Sequence, residues 1–436
     1  MLRRFKIFLI ELSGFLPSSI RRVLLDFTAF LVFKVWRPAV RAIPFHLLRR
    51  LPCSSLVFGP PKGVCPTAAE CGKGASGYVP LRAAHEIVRG RMPAVLGGEV
   101  HPVFSTHRKI LSPPTFVARI SAARVYGNCG AVITPDDRLI GDVSQEIGRI
   151  GFAHSVFSRF RLPRVRGLAG LSAVLATAGR TNYFHWMFDV LPRLCLLREA
   201  GIPWGTVQHF LLGETGLQFQ AESLAILGIP PERCVPCAPS AHFLCEELLV
   251  PSLAGSTGHP PAWVCDFLRE TFLAAEADAP SAGRGRKIYV SRAGARFRRV
   301  LNEEEVTRTL TAQGFEIVQL ETLPVREQAR LFAAADVVVA PHGAGCTNAV
   351  FCQPGTAFIE IFSPRYVLAC YWAICSQRGL RYAYDVGKSS ATNTDGHYFT
   401  MVEDIDVDCE RLLRTIALCT SLVSDATAEN ASLSSK

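Results

Sequence analysis

The sequence lacks any uncharged apolar run of about 18 residues, the length that a membrane-spanning helix needs. The apolar stretches at residues 7–10, 23–25 and 27–33 are bounded by charged side chains. No small-residue cleavage site follows a clean hydrophobic segment, which argues against a signal peptide. We therefore expect neither a spanning helix nor a cleaved leader.

Paired cysteine motifs are also scarce, although the chain has 15 cysteines. Cys234 and Cys237 form an isolated C-x-x-C motif, and no second pair stands at the spacing of a zinc site. Most other cysteines lie among apolar residues, and their odd number is unlike a disulfide framework. We predict reduced, buried thiols and no metal site. The N-x-[ST] sequon at residues 430–432 falls in a polar tail, residues 423–436, that we expect to be disordered.

The net charge of +10, from 47 basic and 37 acidic residues, is unevenly distributed. Residues 1–50 contain ten Lys or Arg side chains and two acids, whereas the rest of the chain is nearly neutral. This distribution argues against a nucleic-acid-binding surface. It predicts a basic amphipathic helical arm, residues 1–50, that lies on an anionic membrane surface. The alternative is that these helices pack on the body of the protein.

Strand and helix patterns alternate through most of the chain. Residues 50–95, rich in Pro, Gly and Cys, predict an irregular connection, and short strands from 99 to 150 predict a β-rich lead-in. Two series of strands spaced by helices follow, with a linker at residues 276–286 between them. This spacing is typical of α/β folds with parallel sheets. We expect two Rossmann-like domains, residues 51–280 and 281–422, facing a cleft at the carboxyl ends of their strands.

The most informative segment joins a β-branched run, residues 337–339, to a turn that contains two glycines, Gly343 and Gly345. We predict a strand, a tight turn and a helix start, which together present free N–H groups and the positive end of a helix dipole. Such a place binds phosphate. Two alternatives remain open. The glycines could serve packing alone, or Cys346 could be a nucleophile with His342 as its base.

A second segment, residues 182–194, places His185 and Asp189 four positions apart. A helix would bring both side chains to one face, where they could act as a general base and its partner. Pro192 should make this helix kink or reset, because it cannot donate a backbone hydrogen bond. The alternative is a buried helix whose histidine and aspartate only satisfy each other.

A third segment, residues 281–300, contains seven basic side chains and no acids. Arg292 and its neighbours follow a predicted strand, and the planar fork of arginine suits a diphosphate. A solvated basic loop is the alternative. Farther on, Glu360 interrupts an apolar strand, where either a ribose diol or an internal ion pair would satisfy its carboxylate.

Taken together, residues 182–194, 287–305 and 341–361 resemble glycosyltransferase family 61, and the resemblance extends over residues 100–420. It implies a GT-B architecture, an inverting mechanism and a UDP-sugar donor, without an obligatory metal or cofactor. It implies that His185 and Asp189 are the acceptor-side catalytic pair and that Glu360 binds the ribose. The residues that it implies for the donor diphosphate are Ser291, Arg292, Arg298, Arg299, His342, Gly343, Ala344, Gly345, Thr347 and Asn348.

We therefore expect a capsule-type glycosyltransferase that moves a hexose or pentose from a UDP-sugar to a hydroxyl of a glycan or lipid-linked glycan. It would be cytoplasmic, and peripheral on the inner membrane face through its basic arm. Whether His185 or Asp189 is the base stays open. Two other functions stay open as well: a non-catalytic nucleotide-sugar-binding component of a polysaccharide-assembly complex, and a hydrolase built on Cys346 and His342.

Overall fold

The computed structural model describes residues 58–71, 75–146, 149–159, 161–213, 215–273, 285–389 and 402–422. The basic arm, most of the predicted linker and the polar tail lie outside these ranges, so our expectations for them stay predictions. Within the described ranges, no helix combines the length and the apolar character needed to cross a bilayer.

The first half of the chain builds a mixed sheet, which we call the first sheet. Its described strands are β1 (Gly63–Cys65), β2 (Ala75–Arg82), β5 (Thr115–Ser121), β6 (Arg124–Tyr126), β7 (Ala131–Ile133), β8 (Arg138–Ile140), β9 (Arg166–Val174), β10 (His209–Leu212), β11 (Cys234–Pro236) and β12 (His242–Pro251). They run in the order β1-β8-β7-β6-β12-β9-β10-β11, with β5 also paired to β12 and β2 paired to β5. The strands β3 (His85–Val88) and β4 (Lys109–Ser112) form a separate hairpin.

The β-rich lead-in belongs to this first sheet rather than preceding it. Strands β12, β9, β10 and β11 are parallel neighbours, as the alternating pattern predicts. On its other side β12 pairs antiparallel with β5 and β6, so the early strands extend the parallel part. Our prediction of an irregular connection over residues 50–95 was wrong where the structure describes it. Strands β1, β2 and β3 lie there, and their partners are distant in the sequence.

The second half of the chain forms the second sheet, in which every strand is parallel to its neighbours. Its strands are β13 (Arg286–Val290), β14 (Glu316–Val318), β15 (Ala335–Pro341), β16 (Ala357–Phe362) and β17 (Arg381–Val386), in the order β14-β13-β15-β16-β17. This order is that of a doubly wound α/β sheet, whose ligands bind at the carboxyl ends of the strands. A short pair, β18 (Lys388–Ser389) and β19 (Ile405–Asp406), lies beyond it.

Helices cover both sheets. They are α1 (Pro102–Thr106), α2 (Tyr183–His185), α3 (Pro192–Glu199), α4 (Gln218–Ile226), α5 (Ala262–Leu273), α6 (Glu303–Ala312), α7 (Val325–Ala333), α8 (Cys370–Gln377) and α9 (Cys409–Ser421). Short 3-10 turns join many of the other elements, and the longest of these turns, Ala344–Phe351, is called the corner helix below. It follows β15 directly, and therefore lies at the carboxyl edge of the second sheet.

One of the four apolar clusters among the described residues is shared by the two halves. Buried side chains of both sheets and of the helices between them form a single cluster, which includes Phe184, Phe210, Val338 and Trp372. Residues 94–101 of the first half reach the second sheet, where His101 donates its backbone N–H to the Tyr384 hydroxyl. The described chain is therefore an α/β protein with two sheets and one apolar cluster to which both contribute. Its division into two GT-B domains with a cleft between them stays a prediction.

Candidate active site

The glycine turn lies at the carboxyl end of β15, where the sequence predicted it. Pro341 ends the strand, and Gly343 is the N-cap of the corner helix. This helix is of 3-10 type and eight residues long, although such helices rarely exceed three or four residues. Gly343 has no side chain that could cap the helix. The N–H groups of Ala344 and Gly345 therefore have no capping side chain, and the positive end of the helix faces the same edge.

Two arginines from the loop after β13 reach this turn. The Nη1 atom of Arg292 lies 1.9 Å from the position that a Cβ atom on residue 343 would take. The Nε atom of Arg298 donates a hydrogen bond of 3.1 Å to the His342 carbonyl oxygen. The guanidinium of Arg298 also lies 5.4 Å from the centre of the Tyr366 ring. These two side chains are thus anchored at the turn, and the alternative of a freely solvated loop does not describe them.

The charged guanidinium of Arg292 is hydrogen-bonded to neutral backbone groups. Its Nε and Nη2 atoms donate to the backbone carbonyl oxygens of Arg298 and Phe297, at 3.0 and 2.8 Å. Burial, and then the nearby charge of Arg298, lower the pKa of Arg292 from its usual value. The guanidinium nevertheless stays protonated at neutral pH. A partly buried cation with carbonyl partners favours an anion beside it, and a planar diphosphate contact would suit it.

Three residues that were predicted to bind the diphosphate have other contacts in the structure. The Ser291 hydroxyl donates to Glu303, at 2.6 Å, and so fixes the loop to helix α6. Arg299 forms an ion pair with Asp404, at 3.0 Å. A Cβ atom on Gly345 would lie 2.9 Å from Leu320 Cδ1, so this glycine serves packing. We therefore remove the side chains of Ser291 and Arg299 from the donor set and retain Arg292 and Arg298.

Glu360 lies inside the protein and not at a ribose-binding surface. Its side chain is fully buried, and one carboxylate oxygen bonds to His342 Nδ1. The other oxygen accepts a 2.5 Å hydrogen bond from the Tyr382 hydroxyl. Burial, followed by the Glu360 carboxylate, raises the pKa of Tyr382 well above its usual value, so the phenol keeps its proton. The ribose role predicted for Glu360 is therefore wrong in this arrangement, and the internal pair is what the structure contains.

His342 is itself a supporting residue. Its side chain is only 5% exposed and packs against the rings of Phe362, Tyr366 and Tyr371 at centroid distances between 5.1 and 5.4 Å. Its backbone carbonyl, by contrast, holds Arg298. The predicted direct contact of the imidazole with a diphosphate is thus replaced by a structural role, in which the buried pair with Glu360 fixes the turn.

Thr347 and Asn348 are also buried rather than exposed to a donor. The Asn348 amide donates to Gln328 at 2.9 Å, and its oxygen accepts from the Tyr183 hydroxyl at 3.0 Å. Tyr183 begins helix α2, so this contact joins the corner helix to the helix that carries His185. Thr347 is fully buried. Both residues were assigned to the diphosphate, and both prove to be parts of the interior.

The segment of residues 182–194 is helical but not uniformly so. Helix α2 passes into a π-turn, Trp186–Val190, in which Leu191 donates its N–H to the carbonyl of Trp186, five residues earlier. Helix α3 then begins with Pro192 at its first position. The predicted reset at Pro192 is confirmed, because proline cannot donate the hydrogen bond that would continue an α-helix. Such π-turns are frequent at functional sites.

His185 and Asp189 form the pair that their spacing predicted. His185 Nδ1 lies 2.6 Å from Asp189 Oδ2, and the side chains are 21% and 18% exposed. Gly179, with φ of +77°, lies against the imidazole, where a Cβ atom would come within 2.4 Å of the ring carbon Cδ2. Asp189 also borders a small pocket lined by residues of the loop after β12, including Ser256 and Pro260. The pair is therefore oriented, partly accessible and not simply buried.

Arg193, in the same segment, is a structural residue that sequence reasoning missed. It is 1% exposed, and its guanidinium donates to the carbonyl oxygens of Ala176 and Pro251, which lie just beyond or at the ends of β9 and β12. Burial lowers the pKa of Arg193 to about 10. Arg193 thereby fixes the helix of the His185–Asp189 pair to the carboxyl edge of the first sheet. The sequence shows that Arg193 lies within the motif, but it does not show which carbonyl groups Arg193 binds.

The His185–Asp189 pair and the arginine-lined turn are neighbours across a layer of aromatic rings. Phe184 lies 5.8 Å from Tyr371, and Tyr371 lies 5.2 Å from His342, measured between ring centres. The direct contact between Tyr183 and Asn348 runs beside this layer. The structure therefore brings the histidine–aspartate pair and the arginine-lined turn to one region of the protein.

The cysteine-based alternative has little support at this place. Cys346 is 1% exposed, and its thiol donates to the Pro341 carbonyl oxygen at 3.6 Å. Burial raises the pKa of Cys346 well above its usual value, which disfavours the thiolate that a nucleophile needs. Among the described residues, no three His, Cys, Asp or Glu side chains come together as a metal site. Metal independence stays a prediction.

Comparison with known proteins finds a family model whose matched range spans this site. Residues 183–359 match the family model described as Glycosyltransferase 61. Over 216 residues the chain is 37% identical to a protein of Oryza sativa subsp. japonica named beta-1,2-xylosyltransferase XAX1. The match covers 44% of this chain and 36% of that relative, so the chain spans about a third of the relative's length. The region matched by the family model contains His185, Arg292 and the glycine turn, so this part of the chain is similar to glycosyltransferase family 61.

Proposed function

We propose that the protein transfers a sugar from a UDP-sugar to a hydroxyl group of a glycan or lipid-linked glycan, with inversion at the anomeric carbon. The observation that carries the proposal is the convergence of Arg292 and Arg298 on the turn at His342 and Gly343, beside the positive end of the corner helix. Two cations and free helical N–H groups at one strand edge favour a diphosphate. The match of residues 183–359 to the family 61 model supports the transfer reaction.

The donor diphosphate would lie against Arg292, Arg298 and the N–H groups of Ala344 and Gly345. When the bond between the anomeric carbon and the diphosphate oxygen breaks, negative charge develops on the leaving UDP. Fixed cations and backbone N–H groups stabilise that charge without having to reorganise during the reaction. Arg298 has a φ angle of +53°, an uncommon and strained value for a residue other than glycine. Such strain is retained where a side chain has to be held in one direction.

His185 is the proposed general base, and Asp189 its positioning residue. The short contact to Asp189 uses Nδ1, which leaves Nε2 for a substrate proton. In the proposed step, the acceptor oxygen forms a bond to the anomeric carbon on the face opposite UDP. His185 Nε2 takes the hydroxyl proton, and Asp189 stabilises the imidazolium that results. Our question of which residue is the base is answered in this proposal in favour of His185.

The identity of the sugar is best tested first with UDP-xylose, because the rice relative is named a xylosyltransferase. The full chain would be screened with UDP-xylose and UDP-hexoses for thermal stabilisation and for slow donor hydrolysis, with UDP release as the readout. We expect the enzyme to turn over at least one UDP-sugar. Stabilisation by UDP without turnover of any donor would favour the non-catalytic alternative instead.

Two variants separate donor binding from chemistry. Arg292→Ala should weaken UDP binding, whereas Asp189→Ala should abolish transfer and leave UDP affinity unchanged. Arg299→Ala is the matched control, because that arginine pairs with Asp404 and should not affect UDP. Activity should also survive EDTA. Loss of activity in EDTA with recovery in Mn²⁺ would overturn metal independence, and a product of retained configuration would overturn the inverting mechanism.

A further inference from the structure

A pair of cysteines outside the candidate site stands in unusually close contact. Cys65 ends strand β1, and Cys71 follows the short 3-10 turn Ala68–Glu70. Their Sγ atoms are 2.7 Å apart. Carbon atoms in van der Waals contact lie about 3.5–4.0 Å apart, and sulfur atoms are larger than carbon, whereas the sulfur atoms of a disulfide are about 2.05 Å apart. The observed separation is therefore nearer to a bond than to a contact between two thiols.

The backbone holds the two cysteines in this position independently of their sulfur atoms. Gly141 donates its N–H to the Cys65 carbonyl oxygen at 2.8 Å. The Ala68 N–H donates to both oxygens of Asp142, at 3.2 and 3.0 Å. Both thiols also point at the same acceptor, the carbonyl oxygen of Thr67, at 3.3 and 3.4 Å. The loop between the cysteines is thus shaped so that the two sulfur atoms converge.

We propose that Cys65 and Cys71 form a disulfide bond in the mature protein. The bond would close the loop of residues 65–71 and hold the edge strand β1 on β8. The reaction requires an oxidant, for which we name a small-molecule or protein disulfide. One S–S bond forms between Cys65 and Cys71, the S–S bond of the oxidant breaks, and the two thiol protons pass to the sulfur atoms of the reduced oxidant.

The timing of this reaction follows from burial. Cys65 and Cys71 are 1% and 4% exposed and belong to the apolar cluster beneath the first sheet. Burial, and then the contact with Cys65, raise the pKa of Cys71 above its usual value. Because the thiolate is the attacking form, the bond should form while the chain folds and not after the loop is packed. The bond would also require an oxidising compartment, contrary to our expectation of reduced thiols and a cytoplasmic location.

The C-x-x-C motif of Cys234 and Cys237 does not share this geometry. Cys234 lies in strand β11 and Cys237 directly after it, so the side chains of this C-x-x-C pair point to opposite faces. The Cys234 thiol instead contacts the Pro230 carbonyl oxygen, at 3.6 Å, and Cys237 is fully buried. This pair therefore serves as an internal control for oxidation.

Trypsin offers a direct test. Cleavage after Lys62 and Lys73 gives one peptide, residues 63–73, that contains Cys65 and Cys71 and no other cysteine. The full chain would be synthesised cell-free in a glutathione and glutathione-disulfide buffer with a disulfide isomerase. A parallel sample would be made in dithiothreitol. Both would be denatured, alkylated with iodoacetamide and digested.

We expect peptide 63–73 from the oxidised sample to carry no alkyl group and to be about 2 Da lighter than the unalkylated dithiol form of the same peptide, because two hydrogens are lost. The peptide of residues 234–269, which contains Cys234, Cys237, Cys245 and Cys265, should be fully alkylated in both samples. Full alkylation of Cys65 and Cys71 in the oxidised sample would overturn the proposal. A metal ion retained by these thiols and released by a chelator would overturn it as well.

A stability measurement provides the second readout. Dithiothreitol should lower the thermal midpoint of the oxidised chain by about 5–10 °C, the shift expected when a short disulfide loop is opened. The variant Cys65→Ser/Cys71→Ser should not respond to the reductant, and Cys234→Ser/Cys237→Ser should respond as the unchanged chain does. An equal response of both variants would place the stabilising bond elsewhere.

Discussion

Replacing Gly343 with alanine should displace Arg292 and thereby weaken UDP binding. Residue 343 has φ of 177° and ψ of 173°, an extended conformation that alanine adopts without strain. Its added Cβ atom would lie 1.9 Å from Arg292 Nη1 and 2.7 Å from Cζ. The obstructing atoms are the end of a flexible side chain, so the guanidinium should move while the fold remains. Its hydrogen bonds to Phe297 and Arg298 would be broken as it moves.

The size of the effect follows from the contacts that Arg292 would make. A hydrogen bond to a charged group contributes about 1.5–3 kcal/mol, and about 1.4 kcal/mol changes an affinity tenfold. We therefore expect the Kd for UDP to rise about 10- to 100-fold in Gly343→Ala. Arg292→Ala should have a similar effect, because it removes the same guanidinium. Isothermal titration calorimetry with UDP would measure both, and circular dichroism would confirm that the variants fold.

The double variant Arg292→Ala/Gly343→Ala tests whether the alanine at position 343 acts through Arg292. If the alanine acts only by displacing Arg292, it should cost almost nothing once Arg292 is absent, so the two effects should not add. Gly345→Ala is the matched control, because its Cβ atom would meet Leu320 and not an arginine. Additive losses in the double variant would show that Gly343 acts by another route. Unchanged UDP binding in Gly343→Ala would remove Arg292 from the donor site.

Four further outcomes are expected. Asp189→Asn should lower kcat by about 100-fold or more while sparing the Kd for UDP, as measured by initial rates and calorimetry, because it disturbs only the base. Cys346→Ala should keep its transfer rate, and loss of that rate would revive the hydrolase hypothesis. Tyr183→Phe should lower kcat more than UDP affinity, since it removes the hydroxyl that bonds to Asn348. Burial raises the pKa of Asp142 to about 6, above its unfolded value of about 3.9, so the native state binds the proton more tightly. The free energy of unfolding should therefore fall as pH rises from about 4 through 6, and urea titrations of Asp142→Asn should lack this part of the slope.

The sequence predicted those features that depend on neighbours along the chain. The pair of His185 and Asp189 follows from a four-residue spacing, and the reset of the helix follows from Pro192. The strand and turn at residues 337–345 follow from a β-branched run and glycines. Each of these inferences needs only local geometry, and each has the predicted structure.

The features that were missed depend on partners far away in the chain. Glu360 was a candidate ribose ligand until Tyr382 and His342 were seen to occupy both of its oxygens. Arg299 was indistinguishable from Arg298 in sequence, and only the position of Asp404, 105 residues later, separates their roles. Residues 50–95 were predicted to be irregular for the same reason, since strands β1, β2 and β3 pair with β8, β5 and β4, which lie later in the chain.

The glycines show why a motif of this kind is ambiguous from sequence alone. A glycine can make room for an anion, make room for a neighbouring side chain, or adopt an unusual backbone angle. In the sequence, all three requirements appear simply as a glycine. At position 345 the neighbour is Leu320, so the glycine concerns packing. At position 343 the neighbour is the guanidinium of Arg292. The glycine leaves room for this guanidinium, and the packing therefore places a cation at the helix N-terminus. Packing and anion binding are therefore not competing explanations of Gly343. The missing side chain leaves the space in which the arginine, and with it the proposed charge of the donor site, is held.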